Sequence, residues 1–233
     1  MDIPDQIRPG MFMPELIFPS LGGDDCNLSQ FQGKKVLIFI WASWSGSRDQ
    51  LPVWQKLFED FKGKGNEIIG IASDAIGPQR PLGYVEQAGA TFLNLIDEEN
   101  LLGSLMGYKV IPCGVLIDEK GQIQHTEFSG FDIRGESTRL ILEGWLGGAD
   151  LHITARFTRS LKGDKAIELF KNGLDLYRNN NHKGAIAAWK KAVRFDPNNF
   201  VIRKQLWALE NPDKFYAGEI DFEWQREQIE KGV

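Results

Sequence analysis

The hydrophobic pattern changes period repeatedly along the chain. Val36 to Ile40 is an unbroken apolar run of β-branched and aromatic side chains, which predicts a strand buried on both faces of a sheet. After a polar turn, Leu51, Trp54, Leu57, Phe58 and Phe61 recur at the i, i+3, i+4 spacing of one helical face. Glu67 to Ala72 and Phe92 to Ile96 predict two more strands. Between them Pro78 and Pro81 punctuate a loop before a short helix, Leu82 to Ala88, with Tyr84, Val85 and Ala88 inward. A second short helix is expected over Asn100 to Met106. Asp118-Glu119-Lys120-Gly121 carries the turn chemistry of a hairpin joining two antiparallel strands. Ser137 to Leu146, with Leu140, Ile141, Leu142, Trp145 and Leu146, closes this part as an amphipathic helix stopped by Gly147-Gly148. Strands alternating with helices predict an α/β domain over residues 1–150.

The pattern then turns wholly helical. Residues 151–163 are a basic, irregular connection, and 164–233 form a second module. Within Ala166 to Asn199, Gly173, Ala185, Trp189, Ala192 and Pro197 fall at the small, small, aromatic, small and proline positions of a tetratricopeptide repeat, which this stretch resembles. Small residues let two antiparallel helices approach closely, and Pro197 ends the second. One repeat cannot bury its own face, so Phe200 to Leu209 is expected as a capping helix, with the group docked on the first domain or on another chain. The tail, Asn211 to Tyr216 and Phe222 to Gln225, is too aromatic for disorder. It is expected to cover an apolar groove of this chain or, alternatively, to reach a partner.

Composition narrows the function. A net charge of −5 gives no basic footprint for nucleic acid, and no apolar run is long enough to span a membrane. Two cysteines, Cys26 and Cys113, make neither a disulfide framework nor a metal site; Cys26, in a polar loop, reads as incidental. The N-terminus lacks the basic start and apolar core of a signal peptide, so a cytoplasmic location is expected, with export the alternative if a leader has been removed.

Candidate chemistry sits at the turn Trp41-Ala42-Ser43-Trp44-Ser45-Gly46-Ser47-Arg48. Side chains at a helix N-terminus meet unsatisfied N–H groups and the positive end of the dipole, which lowers a thiol's pKa and barely touches a hydroxyl. The turn resembles the active-site turn of the thioredoxin fold in the TlpA/ResA-like and AhpC/TSA-related redoxins, whose familiar form is W-A-S-W-C-x-x-C-R. The resemblance extends upstream to Pro9-Gly10, Met13 to Phe18 and Leu28 to Lys35. Downstream, Gly107 to Ile123 is similar to Y-x-V-x-x-x-P-T-x-x-L-I-D-x-x-G-x-I. It implies a thioredoxin-like fold, with a central mixed sheet flanked by helices, and a thiol–disulfide oxidoreductase acting on protein thiols or disulfides without a cofactor or metal.

By that resemblance Ser45 matches the nucleophilic cysteine. The resolving position falls on Arg48 counted directly, or on Ser47 if one residue of the turn is deleted. The deletion is favoured, because it aligns Arg48 with the arginine after the second cysteine and Pro52 with the family's helix-kinking proline. Trp44 would shield the site, Arg48 would raise the local positive potential, and Pro112, matching a cis-proline, would position the substrate chain. Cys113 replaces the usual threonine after that proline. It is the remaining redox candidate, against the plainer reading of a small buried residue at a strand start. Asp74, at the carboxyl edge of the sheet, reads as a turn or cap residue or as one facing the site.

Serine cannot form a disulfide, so this turn cannot cycle between dithiol and disulfide. Two readings follow. One is an oxidoreductase whose active cysteines are replaced by serine; the other is a natural redox-inactive scaffold that binds a peptide or protein through the repeat-like module. A peroxiredoxin would carry P-x-x-x-T-x-x-C, but Trp41 and Trp44 stand in its proline and threonine places. A serine hydrolase finds no relay partner at suitable spacing in His125, His152 or His182, and helix capping is the plain role of Ser45 or Ser47.

Overall fold

The computed structural model describes residues 6–128, 130–149 and 161–232. Among the described residues, seven strands and nine α-helices follow in order: β1 (Ile17–Pro19), β2 (Asp25–Asn27), β3 (Lys35–Trp41), α1 (Leu51–Phe61), β4 (Asn66–Ala72), α2 (Gln79–Gln87), β5 (Leu93–Ile96), α3 (Leu101–Met106), β6 (Cys113–Ile117), β7 (Ile123–Glu127), α4 (Glu136–Leu146), α5 (Leu161–Arg178), α6 (His182–Phe195), α7 (Phe200–Glu210), α8 (Asp213–Tyr216) and α9 (Phe222–Glu230). Five strands form a mixed sheet in the order β5-β4-β3-β6-β7, and β1-β2 make a small separate pair. The architecture is an α/β thioredoxin-like domain followed by an all-α module. No described helix is long and apolar enough to cross a membrane.

The central strand is β3. It runs parallel to β4, from Lys35 opposite Asn66 to Trp41 opposite Ala72, and antiparallel to β6, from Val36 opposite Ile117 to Ile40 opposite Cys113. Successive side chains of a strand point to opposite faces, so β3 serves two cores. Leu37, Phe39 and Trp41 pack with Trp54, Phe131 and Trp145 on the side of α1 and α4. Ile38 and Ile40 pack on the other side with Leu102 and Met106 of α3, and that core continues through Val201, Trp207 and Phe215 of the helical module.

The module is therefore docked on the sheet's second face. Helix α7 joins the two units, because Val201, Trp207 and Ala208 enter the sheet's core while Ile202 and Leu206 pack with Phe170, Leu174 and Trp189 of α5 and α6. The tail covers this chain: Phe215 is fully buried, and Trp224 stacks edge-on against Trp207 and Phe215.

Several local expectations need correction. Cys26 lies in β2 with its side chain buried, not in a polar loop. Pro81 falls inside the first turn of α2, where its missing N–H is no loss. Leu140 and Ile141 point to solvent, so α4 packs through Leu142, Trp145 and Leu146 alone. The proposed connection lies outside the described residues as far as position 160, and so does His152.

Candidate active site

β3 ends at Trp41, and the chain folds back through a 3-10 turn, Gly46–Gln50, into α1. Pro52 sits in the first turn of α1, where an N–H would be unpaired anyway, so it marks the change from 3-10 to α geometry without kinking a helix. Ser45 is the N-cap of the 3-10 turn: its backbone is extended and its Oγ accepts from the Ser47 N–H at 3.3 Å. The Ser47 Oγ accepts from the Ala42 N–H at 3.2 Å. Both hydroxyls lock the turn, and both residues are buried.

Trp44 is buried too, with its indole N–H donating to the Ser73 carbonyl at 3.1 Å. This bond ties the turn to the end of β4. Next to it, Asp74 is fully buried and accepts from the Ser43 N–H at 3.0 Å and from the Ser43 hydroxyl. Burial pushes the Asp74 carboxyl up to about 6, against the opposing pull of the Ser43 hydrogen bonds and the Arg80 charge. Asp74 thus faces the site instead of capping a turn.

Arg48 is spent on the tail. One terminal guanidinium nitrogen donates to the carbonyls of Ser43 at 2.9 Å and Phe215 at 2.7 Å, and the other to Gly218 at 3.0 Å. The guanidinium also lies over the Tyr84 ring, 4.5 Å from its centroid. The Tyr216 hydroxyl comes within 3.4 Å of the Ser43 Oγ, and Arg80 covers the Tyr216 ring at 3.8 Å. Burial beside Asp74 pushes the Tyr216 hydroxyl up to about 12, so it stays protonated. The Phe222 ring closes over Gly46, where a Cβ would stand 3.3 Å from its edge. The turn is covered by the chain's own α8–α9 segment.

The Ile111–Pro112 peptide is cis. Cys113 follows at the start of β6, paired with Ile40 of β3. Its thiol is fully buried and donates to the Val110 carbonyl at 2.8 Å, and burial holds it well above the usual thiol range. A protonated, enclosed thiol is a poor nucleophile.

The sheet topology thus gathers Trp44, Ser45, Ser47 and Arg48 in one turn and places Cys113 on the strand beside it. Ser43, Tyr216 and Gly218 were not singled out from sequence. The available signal was the aromatic tail, whose target a linear pattern does not reveal.

A sequence model described as Redoxin matches residues 8–138. The thiol-disulfide oxidoreductase ResA of Bacillus anthracis is 27% identical over 143 residues, covering 61% of this chain and 79% of that protein. The thioredoxin-like protein YneN of Bacillus subtilis is 28% identical over 122 residues, 51% of this chain and 70% of that one. Among solved structures, one described as a thiol:disulfide interchange protein DsbE of Chlorobium tepidum superposes with a TM-score of 0.54 at 24% identity, over 61% of this chain and all of that one, a likeness of fold. With the sheet, the turn and the cis-proline strand all inside the matched residues, this chain belongs to the redoxin family.

Proposed function

We propose that this redoxin is redox-inactive at its Trp44-Ser45-Gly46-Ser47-Arg48 turn and works as a protein-binding scaffold, with the former active-site turn serving as the seat of its own C-terminal segment. The observation that carries the reading is the triple use of Arg48 at the turn, whose guanidinium holds the carbonyls of Phe215 and Gly218 where a substrate chain would have to lie. Hydrogen bonds from a charged donor contribute roughly 1.5–3 kcal/mol each, so displacing the segment is costly.

The chemistry agrees. Disulfide exchange needs a thiolate that attacks a disulfide sulfur and a second thiol that resolves the mixed disulfide. Neither is present at the turn, and Cys26 and Cys113 are both buried. Binding is left as the use of the surface, and the exposed Phe195, Phe222 and Ile229 give the helical module apolar contacts for a peptide or protein partner.

The test is insulin disulfide reduction by the native chain, by Ser45→Cys/Ser47→Cys and by Cys113→Ala. The native chain is expected to match the uncatalysed rate. Catalysis by the native chain that disappears in Cys113→Ala would overturn the proposal and make Cys113 the working thiol. Strong activity of the double-cysteine variant with the tail still in place would favour the second reading, an oxidoreductase lacking only its sulfurs.

A further inference from the structure

We propose that the cleft at the opposite end of the central strand binds a small, uncharged, largely apolar molecule. The turn follows the last residue of β3, whereas this cleft opens on its beginning, at Val36 and Ile38. It encloses about 360 Å³, within the roughly 300–1,000 Å³ of small-molecule sites. Aliphatic core side chains, including Ile117, form its floor, and Leu28 and Phe31 supply walls.

The rim argues for a ligand. Phe12 stands there 64% exposed. It is held by backbone bonds on either side, from the Met13 N–H to the Gly121 carbonyl and from the Ile123 N–H to the Met11 carbonyl, both 2.9 Å. These bonds fix the Phe12 backbone at the mouth of an apolar cleft, where an occupant would take the face of its exposed ring out of water.

Charge selects the class of ligand. Glu15 and Lys120 line the rim with opposite signs. Asp118, also in the lining, already accepts from the N–H groups of Lys120 and Gln122 and from the Gln124 side chain. The three lining charges sum to −1, but Glu15 and Lys120 are exposed to water and the Asp118 oxygens are occupied. No buried countercharge therefore faces the apolar floor to compensate a desolvated ionic head, and a neutral molecule such as a short-chain alcohol or a small aromatic fits best.

The experiment is a fluorescence titration of the full chain with N-phenyl-1-naphthylamine, followed by competition with octan-1-ol, octanoate and octylammonium. Saturable one-site binding is expected, with octanol displacing the dye at concentrations about tenfold below those of either ion. Ser29→Trp, which fills the cleft from an exposed position in its lining, should weaken dye binding by about tenfold or more. Absence of saturable binding, equal displacement by the ions, or unchanged affinity in a folded Ser29→Trp variant would each overturn the proposal. If that variant does not fold, methyl NMR of the native chain decides. Shifts on adding octanol confined to Val36, Ile38, Leu28 and Ile117 support the site, and shifts elsewhere or none reject it. Because the cleft lies away from the turn, the result is independent of the redox reading.

Discussion

Arg48 of the turn after β3 and Phe215 of α8 are joined by a 2.7 Å hydrogen bond across 167 positions of sequence. The bond runs from a buried guanidinium to the backbone carbonyl of a fully buried residue, so neither group has water as an alternative partner. It ties this turn, inside the matched redoxin residues, to the part of the chain outside them.

Removing that guanidinium should loosen the tail. Arg48→Ala leaves the buried carbonyls of Ser43 and Phe215 without their donor, while that of the exposed Gly218 can turn to water, and an unsatisfied buried group costs roughly 1–3 kcal/mol. A loss of about 3 kcal/mol in urea unfolding is expected, with faster amide exchange over residues 213–221 than elsewhere. Arg48→Lys should recover only part of it, because one ammonium cannot span three carbonyls with the same fork. Unchanged exchange in the tail of Arg48→Ala would refute the role given to Arg48.

Stability should fall as pH rises through the range of Asp74. Its carboxyl titrates at about 6 in the folded chain against 3.8 ordinarily. The folded state therefore holds the proton more tightly than the unfolded one. The contribution is full below the unfolded value, near pH 4, and is lost as pH climbs through about 6. A shift of this size is on the order of 3 kcal/mol. Asp97, buried just after β5 with its carboxylate accepting from the N–H groups of Leu101 and Leu102, is pushed the same way to about 6 and adds to the same window. Urea midpoints measured from about pH 4 to about pH 7 should decline in the native chain, and the slope should flatten in Asp74→Asn. An equal slope in the two proteins would show that Asp74 is not the source.

Periodicity showed the sheet and its helices because each strand is short, apolar and bounded by turn residues. It placed β3, α1 and β4 within a residue or two, and the turn chemistry of Asp118 to Gly121 placed the β6–β7 hairpin. The β1–β2 pair escaped because each strand has three residues and a single buried side chain, Phe18 or Cys26. Trp44, Ser45, Ser47 and Arg48 were legible as a turn, but their partners were not. Which carbonyls Arg48 meets depends on how α7 is shared between two cores, a tertiary fact with no local signature. Asp74 shows the same limit. A carboxylate after a strand reads as a cap, and only the fold brings Ser43 against it.

The thiol of Cys113 should be silent in the native state. It is enclosed, hydrogen-bonded to Val110 and held well above the usual range by burial. Cys26 is buried as well, and burial also raises its thiol. Ellman's reagent at mildly alkaline pH should therefore titrate neither cysteine until denaturant is added, when both react. Rapid labelling of Cys113 in the folded chain would restore it as a redox candidate.

Gly173 offers the last test, because two effects oppose each other there. Alanine is favoured over glycine inside a helix by about 1 kcal/mol, and α5 is otherwise unbroken through this position. A Cβ on Gly173, however, would stand 2.2 Å from the Trp189 indole nitrogen, which donates to the Phe170 carbonyl at 2.9 Å. Moving that ring costs the hydrogen bond and the packing around it, and overpacking of this kind costs roughly 1–3 kcal/mol. The clash wins, so Gly173→Ala should destabilise the chain by about 1–2 kcal/mol. Trp189 shares its core with Ile202 and Leu206 of α7, and α7 carries Val201 and Trp207 into the sheet's second core. The disturbance should therefore travel, and amide exchange in α8 should quicken in Gly173→Ala although the substitution lies in α5. If exchange rises in α5 and α6 alone, the helical pair and the tail over the turn are energetically separate.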